Sequence, residues 1–179
     1  MWLLVPSRLL PDLREHALFL VGVSCTGAAV RSWAFWADPL VRPAWIGPRH
    51  TNFPDGSICA YEPSDGTWGF GEPLIDLLDL YSVWAVRHLH LLTFGRWPGP
   101  QAVHRPYERL LEISAQEQCG CGQDRSYGDC CRTRDLARDR IADAVDFLFW
   151  SGGALRAPPQ TVLDFAMTQS GIEQLDNLL

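Results

Sequence analysis

Six cysteines stand in a chain of 179 residues, and their spacing sorts them into two kinds. Cys119, Cys121, Cys130 and Cys131 crowd into the segment CGCGQDRSYGDCC. Two close pairs across a polar loop can offer four thiolates to one tetrahedral zinc, and Gly120, Gly122 and Gly128 permit the tight turns between them. A closed site of four sulfurs leaves no open coordination position, so Zn(2+) held there is structural. Cys59 is the other kind. It follows the turn Pro54-Asp55-Gly56-Ser57 in HTNFPDGSICAYEPSDGTW, and it lies far from the quartet in sequence. A thiol on a loop carried by a rigid scaffold is a candidate nucleophile, and its plain alternative is a small loop hydrophobe. Cys25, inside an apolar run, reads as an inert buried thiol.

The elements that must position these residues come in two blocks. SRLLPDLREHALF (7–19) reads as a short amphipathic helix. LFLVGVSC (18–25) and AVRSWAFW (29–36) read as a hairpin turned at Thr26-Gly27, with PAWIG (43–47) as a third, edge strand. Pro73 and Gly95 bracket a helix in which Leu74, Leu77, Leu78, Tyr81, Ala85, His88, Leu91 and Leu92 recur at helical spacing. A Pro/Gly-rich connector (96–106) leads to a short helix over 107–117. The cysteine segment follows, then a helix over 134–150 with Leu136, Ile141, Val145, Leu148 and Phe149 on one side. A final helical segment beyond Pro158-Pro159 is interrupted at Gly171. Strands first and helices after give an α+β class: a small antiparallel sheet flanked by helices, with a C-terminal helical zinc-knuckle extension.

Composition narrows the partners. Hydrophobic residues make up 47% of the chain, enough for a true core, and the net charge of -6 gives no basic footprint for nucleic acid. No apolar stretch approaches the length of a membrane span, and MWLLVPSRLL lacks the charged start and cleavage site of a signal peptide. A cytoplasmic location is the expectation, with reduced thiols rather than disulfides. All 15 cationic side chains are arginine. A GC-rich genome accounts for that; it also removes the amines that would intercept an activated acyl group in cis.

Two resemblances rest on these residues. The C-x-C, eight residues, C-C spacing is similar to the SEC-C motif, a short zinc-binding module, over residues 119–131. The usual Gly-Ser-Gly and basic residues of its loop are replaced by Gly122-Gln123-Asp124-Arg125-Ser126, while Tyr127 stays in register. Residues 10–110 resemble the ubiquitin-conjugating (E2) enzymes. A proline-bounded strand enters His50-Thr51-Asn52, then Gly56-Ser57-Ile58-Cys59, then Trp68 and a long helix carrying Trp84. Thr51 stands where that family has proline, and the interval from histidine to cysteine is shortened. With GRWPGPQAVH (95–104), the pattern is similar to the prokaryotic E2-like proteins of CBASS antiviral operons.

The resemblance implies an E2-like domain over 1–112 and a SEC-C-like motif with helical tail over 113–179. It implies a thioester at Cys59 with the C-terminus of a ubiquitin-like protein or a cGAS-like nucleotidyltransferase, with an E1-like protein as a possible charging partner. Asn52 would order the active loop or stabilise the oxyanion, His50 would brace the loop first and act as acid or base second, and His104 could approach the sulfur from the connector. The alternatives are a non-catalytic E2-shaped scaffold stapled by zinc and, with less behind it, a cysteine hydrolase using Cys59 and His104 as a dyad.

Overall fold

A computed structural model describes residues 1–7, 16–24, 30–37, 43–62, 65–153, 156–175 and 178. It is α+β. Among these residues there are four strands, β1 (Trp2–Pro6), β2 (His16–Val23), β3 (Val30–Ala37) and β4 (Ala44–Trp45). They are followed by five α-helices: α1 (Leu74–Phe94), α2 (Pro106–Glu112), α3 (Arg132–Leu136), α4 (Arg140–Trp150) and α5 (Gln160–Thr168). A 3-10 turn, Ile172–Gln174, closes the order. The strands form one antiparallel meander in sequence order. No helix among the described residues is long and apolar enough to cross a membrane. The chain folds as two compact units, Met1–Val86 with Leu155–Leu179, and Arg87–Ala154.

In the first unit the central strands are covered on both faces, which is why β2 reads as the unbroken apolar run ALFLV rather than as an alternation. Register sets the two sides. Leu18 pairs with Phe35 and Leu20 with Trp33; Phe19 pairs with Ala34 and Val21 with Ser32. The face with Leu20, Trp33 and Phe35 packs against Val162 and Phe165 of α5 and against Leu175. Trp2 stacks on Trp33 at 6.2 Å. The opposite face carries Phe19, whose ring lies 5.7 Å from Tyr81 of α1. The Tyr81 phenol is pushed far up its range by burial, a shift that the neighbouring Ser32 hydroxyl opposes. The unit therefore has three layers, with the sheet between α5 and α1.

The structure changes several expectations. Residues 16–19 are β2 and not the end of a helix, because their pairing with β3 buries Ala17 and Phe19 completely; residues 8–15 lie outside the described residues. β1 was not anticipated; it pairs with β2 from Trp2↔Gly22 to Pro6↔Leu18. The turn at Thr26-Gly27 and the inert thiol expected at Cys25 lie outside the described residues. The helix expected over 107–117 is α2, which ends at Glu112.

The long helix bracketed by Pro73 and Gly95 is α1, stopped where the Gly95 amide, at φ 67°, donates to the Leu91 carbonyl. The helix expected over 134–150 is two, α3 and α4. Asp139 breaks it by capping α4, its carboxylate accepting from the amides of Ile141 and Ala142. The interruption at Gly171 stands, with α5 ending at Gln169 in the left-handed region.

Phe165→Ala should cost the sheet unit about 3–5 kcal/mol, the usual loss for removing a packed phenylalanine. Denaturant unfolding followed by tryptophan fluorescence measures it, with Trp33 as the reporter beside the vacated space.

Candidate functional site

The candidate thiol belongs to the first unit and sits at the foot of a tight hairpin. Thr51 and Ile58 pair across it, the Asn52 amide donates to the Ser57 carbonyl at 2.7 Å, and the Gly56 amide donates to the Asn52 carbonyl at 2.9 Å. The Asp55 carboxylate accepts the Ser57 amide across the tip. Gly56 adopts φ 65°, and a Cβ there would sit 2.9 Å from the Ala157 backbone and from the Trp45 ring. Only glycine fits that corner. The hairpin is fastened to the sheet by two further bonds: the Ile58 amide to the Ser32 carbonyl, and the Trp33 indole to the Asp55 carbonyl at 2.8 Å.

Cys59 follows directly and is partly exposed. Its amide donates to the carbonyl of His50, which also accepts the indole N–H of Trp84 from α1 at 2.7 Å. His50 holds a left-handed backbone, φ 50°, that fits this double acceptor role. The Asn52 side chain donates both to the Ile58 carbonyl, at 3.0 Å, and to the Ser57 hydroxyl, at 3.3 Å. Both amide hydrogens are thus spent on bracing the loop. Asp55, close to the thiol in sequence, is offset by Arg31 at 3.2 Å. Tyr61 lies near enough that the Cys59 thiol, second to burial, raises its phenol pKa. Asn52 and His50 are therefore brought to the cysteine's own hairpin. His104 is exposed and belongs to the second unit.

Sequence reasoning missed the back of this loop. After the second unit the chain returns with Arg156, whose guanidinium donates to the Pro48 carbonyl and lies 4.0 Å over the Phe53 ring. Together with Ala157 behind Gly56, this makes the C-terminal segment part of the hairpin's support. No local pattern signals it, since the partners stand about a hundred positions apart.

The second unit carries the quartet. The Sγ atoms of Cys119, Cys121, Cys130 and Cys131 all lie within 4.8 Å of one another. Cys121 and Cys130 are 3.6 Å apart, and Cys130 and Cys131 are 3.8 Å apart. A tetrahedron with metal–sulfur bonds of about 2.3 Å has edges of roughly 3.8 Å, so the group can hold one metal ion and is consistent with zinc. Cys119 and Cys121 lie on a turn where the Val103 amide meets the Gly120 carbonyl at 3.0 Å; a Cβ at Gly120 would run into Val103 at 2.7 Å.

Cys130 and Cys131 lead into α3. Without a cation the thiols titrate unequally. A backbone N–H at Gln123 draws Cys121 down to about 7, while burial and its neighbours push Cys131 up to about 12. Arg134 donates to the Cys131 sulfur at 3.2 Å.

Beneath the sulfurs runs a buried ionic network that the sequence did not announce. Arg109 of α2 grips Asp135 of α3 with two nitrogens, at 2.8 and 2.9 Å. A third nitrogen donates to the carbonyls of Val103 and His104. Tyr127 completes the set by donating its hydroxyl to Asp135 at 3.2 Å. Asp135 is fully buried and Arg109 nearly so. Burial opposes the Arg109 charge, but the Asp135 partnership outweighs it and the guanidinium pKa rises.

Comparison with protein-family models, with curated proteins and with solved structures finds no match for this chain.

Asp135→Ala should cost about 3–5 kcal/mol, because it strands the Arg109 charge in the interior rather than merely deleting a contact. Chemical denaturation measures the loss, and the metal content of the purified variant shows whether the quartet survives it.

Proposed function

We propose that this protein is an E2-like acyl carrier that takes a polypeptide C-terminus as a thioester on Cys59 and passes it on, with a structural zinc at Cys119, Cys121, Cys130 and Cys131. The observation that carries the reading is the hairpin. A partly exposed cysteine follows a turn whose backbone is held by the Asn52 side chain, the His50 carbonyl, and indole donors from the sheet and the long helix. Such preorganisation suits a nucleophile that must meet a large substrate in one orientation.

Thiolate attack on an activated carboxyl forms the C–S bond and expels the activating group. Attack on that thioester by an acceptor nucleophile later releases the sulfur as thiolate. Asn52 fits the bracing role of the motif asparagine, because its two donors already serve the loop; donors for the oxyanion would then come from elsewhere or from the bound partner. His50 fits a bracing role through its backbone. The acyl donor is a ubiquitin-like protein or a cGAS-like nucleotidyltransferase, as the prokaryotic E2-like resemblance suggests, with an E1-like protein as its possible charging enzyme and antiphage defence in the cytoplasm as its setting. Zinc in the quartet would fold the second unit rather than act on substrate.

The chain carrying Cys59, expressed with its neighbouring genes and run on non-reducing gels, should show a protein adduct that thiol reductant removes. Cys59→Ser should convert it to an adduct that resists reductant and yields to hydroxide. Absence of any adduct with both forms, alongside retained partner binding, would assign the fold to a scaffold instead.

Protein purified without chelator should contain one zinc per chain by elemental analysis, and Cys130→Ala should lose it. A metal-free wild-type protein with a folded second unit would remove zinc from the reading.

A further inference from the structure

The four cysteines of the quartet are not equivalent. Cys119 and Cys131 belong to the core of the second unit, 1% and 4% exposed among Val103, Ile113 and Tyr127. Cys121 and Cys130 pack on the outside of that cluster and are partly exposed. One pair is sealed and the other is open to water, and each takes one cysteine from either end of the loop. The sulfurs of the open pair lie 3.6 Å apart, so a bond of roughly 2.05 Å needs a closure of only about 1.5 Å. The other short distance, 3.8 Å between Cys130 and Cys131, does not offer the same bridge. Chain neighbours across a trans peptide keep their Cα atoms about 3.8 Å apart, short of the roughly 4.4 Å at which disulfides begin. Cys131 differs in a second way, because the Arg134 guanidinium donates to its sulfur at 3.2 Å and engages electron density there.

We infer that Cys121 and Cys130 form a redox modification site, at which a hydroperoxide closes a disulfide between them and opens the metal site. Only the loss of the ion rests on the zinc reading given above; the choice of pair rests on burial and distance.

The chemistry balances with hydrogen peroxide as the oxidant. One open sulfur, as thiolate, attacks a peroxide oxygen; an S–O bond forms, the O–O bond breaks and hydroxide leaves. The second open thiolate then attacks that sulfur, forming the S–S bond and expelling the other hydroxide. The two sulfurs give up two electrons, the peroxide accepts them, and two protons from solvent turn both hydroxides into water. Thiolates are metal ligands and disulfide sulfurs are not, so the quartet keeps two of its four ligands and no longer closes round one ion. The sealed pair stays out of the oxidant's reach. The bridge joins the turn at 119–121 to the segment entering α3, the same two pieces of chain that a shared metal would join. Their connection is therefore exchanged and not lost.

Stepwise addition of hydrogen peroxide to the full chain tests it, on a Cys59→Ser background so that the loop thiol cannot compete. Metal content is measured first and by itself decides the zinc reading. About one equivalent of peroxide should then release the bound zinc to a chromogenic chelator, and thiol reductant with added zinc should restore it. Alkylation in denaturant before any reduction, followed by peptide mass mapping, should find Cys121 bridged to Cys130, with Cys119 and Cys131 alkylated. A chain purified without metal should give the same bridge, so failure of the zinc reading leaves the choice of pair under test. Quartet thiols that stay reduced in about a tenfold excess of peroxide overturn the proposal. A bridge through any other cysteine, or sulfinic acid in place of a bridge, overturns it as well.

Discussion

One carbonyl, that of His50, joins the hairpin that leads to Cys59 to the long helix of the first unit. It receives the Cys59 amide from the hairpin and the Trp84 indole from α1, so the thiol's position is referred to the long helix. The sheet makes the complementary attachment through Trp33 and the Ser32 carbonyl. A loop held from two sides has little freedom to swing, so the partly exposed Cys59 is held in one place. The left-handed backbone at His50 is what lets that carbonyl serve both donors. Histidine is among the residues that tolerate such a conformation better than β-branched ones do.

The second unit solves a different problem. Sixty-eight residues divided among short helices and turns bury little apolar surface, and small folds of this kind need a staple. Arg109 supplies one, tying α2 to α3 and to the connector at Val103 and His104. The sulfur quartet brings the turn at 119–121 beside the start of α3 and can hold one metal ion there. The sharing of Asp135 between Arg109 and Tyr127 is the economical part. Tyr127 lies between the two cysteine pairs in the chain, and its hydroxyl reaches the carboxylate that the guanidinium needs for compensation. Polar groups so deeply buried are tolerable because each finds its partner.

What could be read from the sequence was local. The four cysteines announced their grouping because a metal site of that spacing needs no distant residue. Pro73 and Gly95 bracketed α1 because a proline start and a glycine stop act within one turn. The hairpin residues around Cys59 were likewise legible as a polar turn. Missing were the interactions between distant positions: Arg109 with Asp135, Arg156 with Pro48, Trp84 with His50. β1 was missed because WLLVP is too short to show a period, and it exists only because β2 offers an edge with matching register. Residues 16–19 went astray for the same reason, since strand pairing overrode a plausible helical pattern.

Helix α4 shows how far periodicity can carry an argument. The recurrence of Ile141, Val145, Leu148 and Phe149 correctly marks one face of a helix, yet it says nothing about which way that face points. Within a unit, apolar stripes are normally inward because water penalises the alternative. Here Phe147, on the other side of the helix, is the residue that anchors it, beside Tyr107 and Trp150. The charges that would normally mark an outward face are bound up at its margins, Asp146 with Arg105 and Asp143 with Arg138. A face that is apolar, outward and bordered by neutralised charge is costly to leave in water. That cost is the physical reason the outward direction of this stripe could not be read from its spacing.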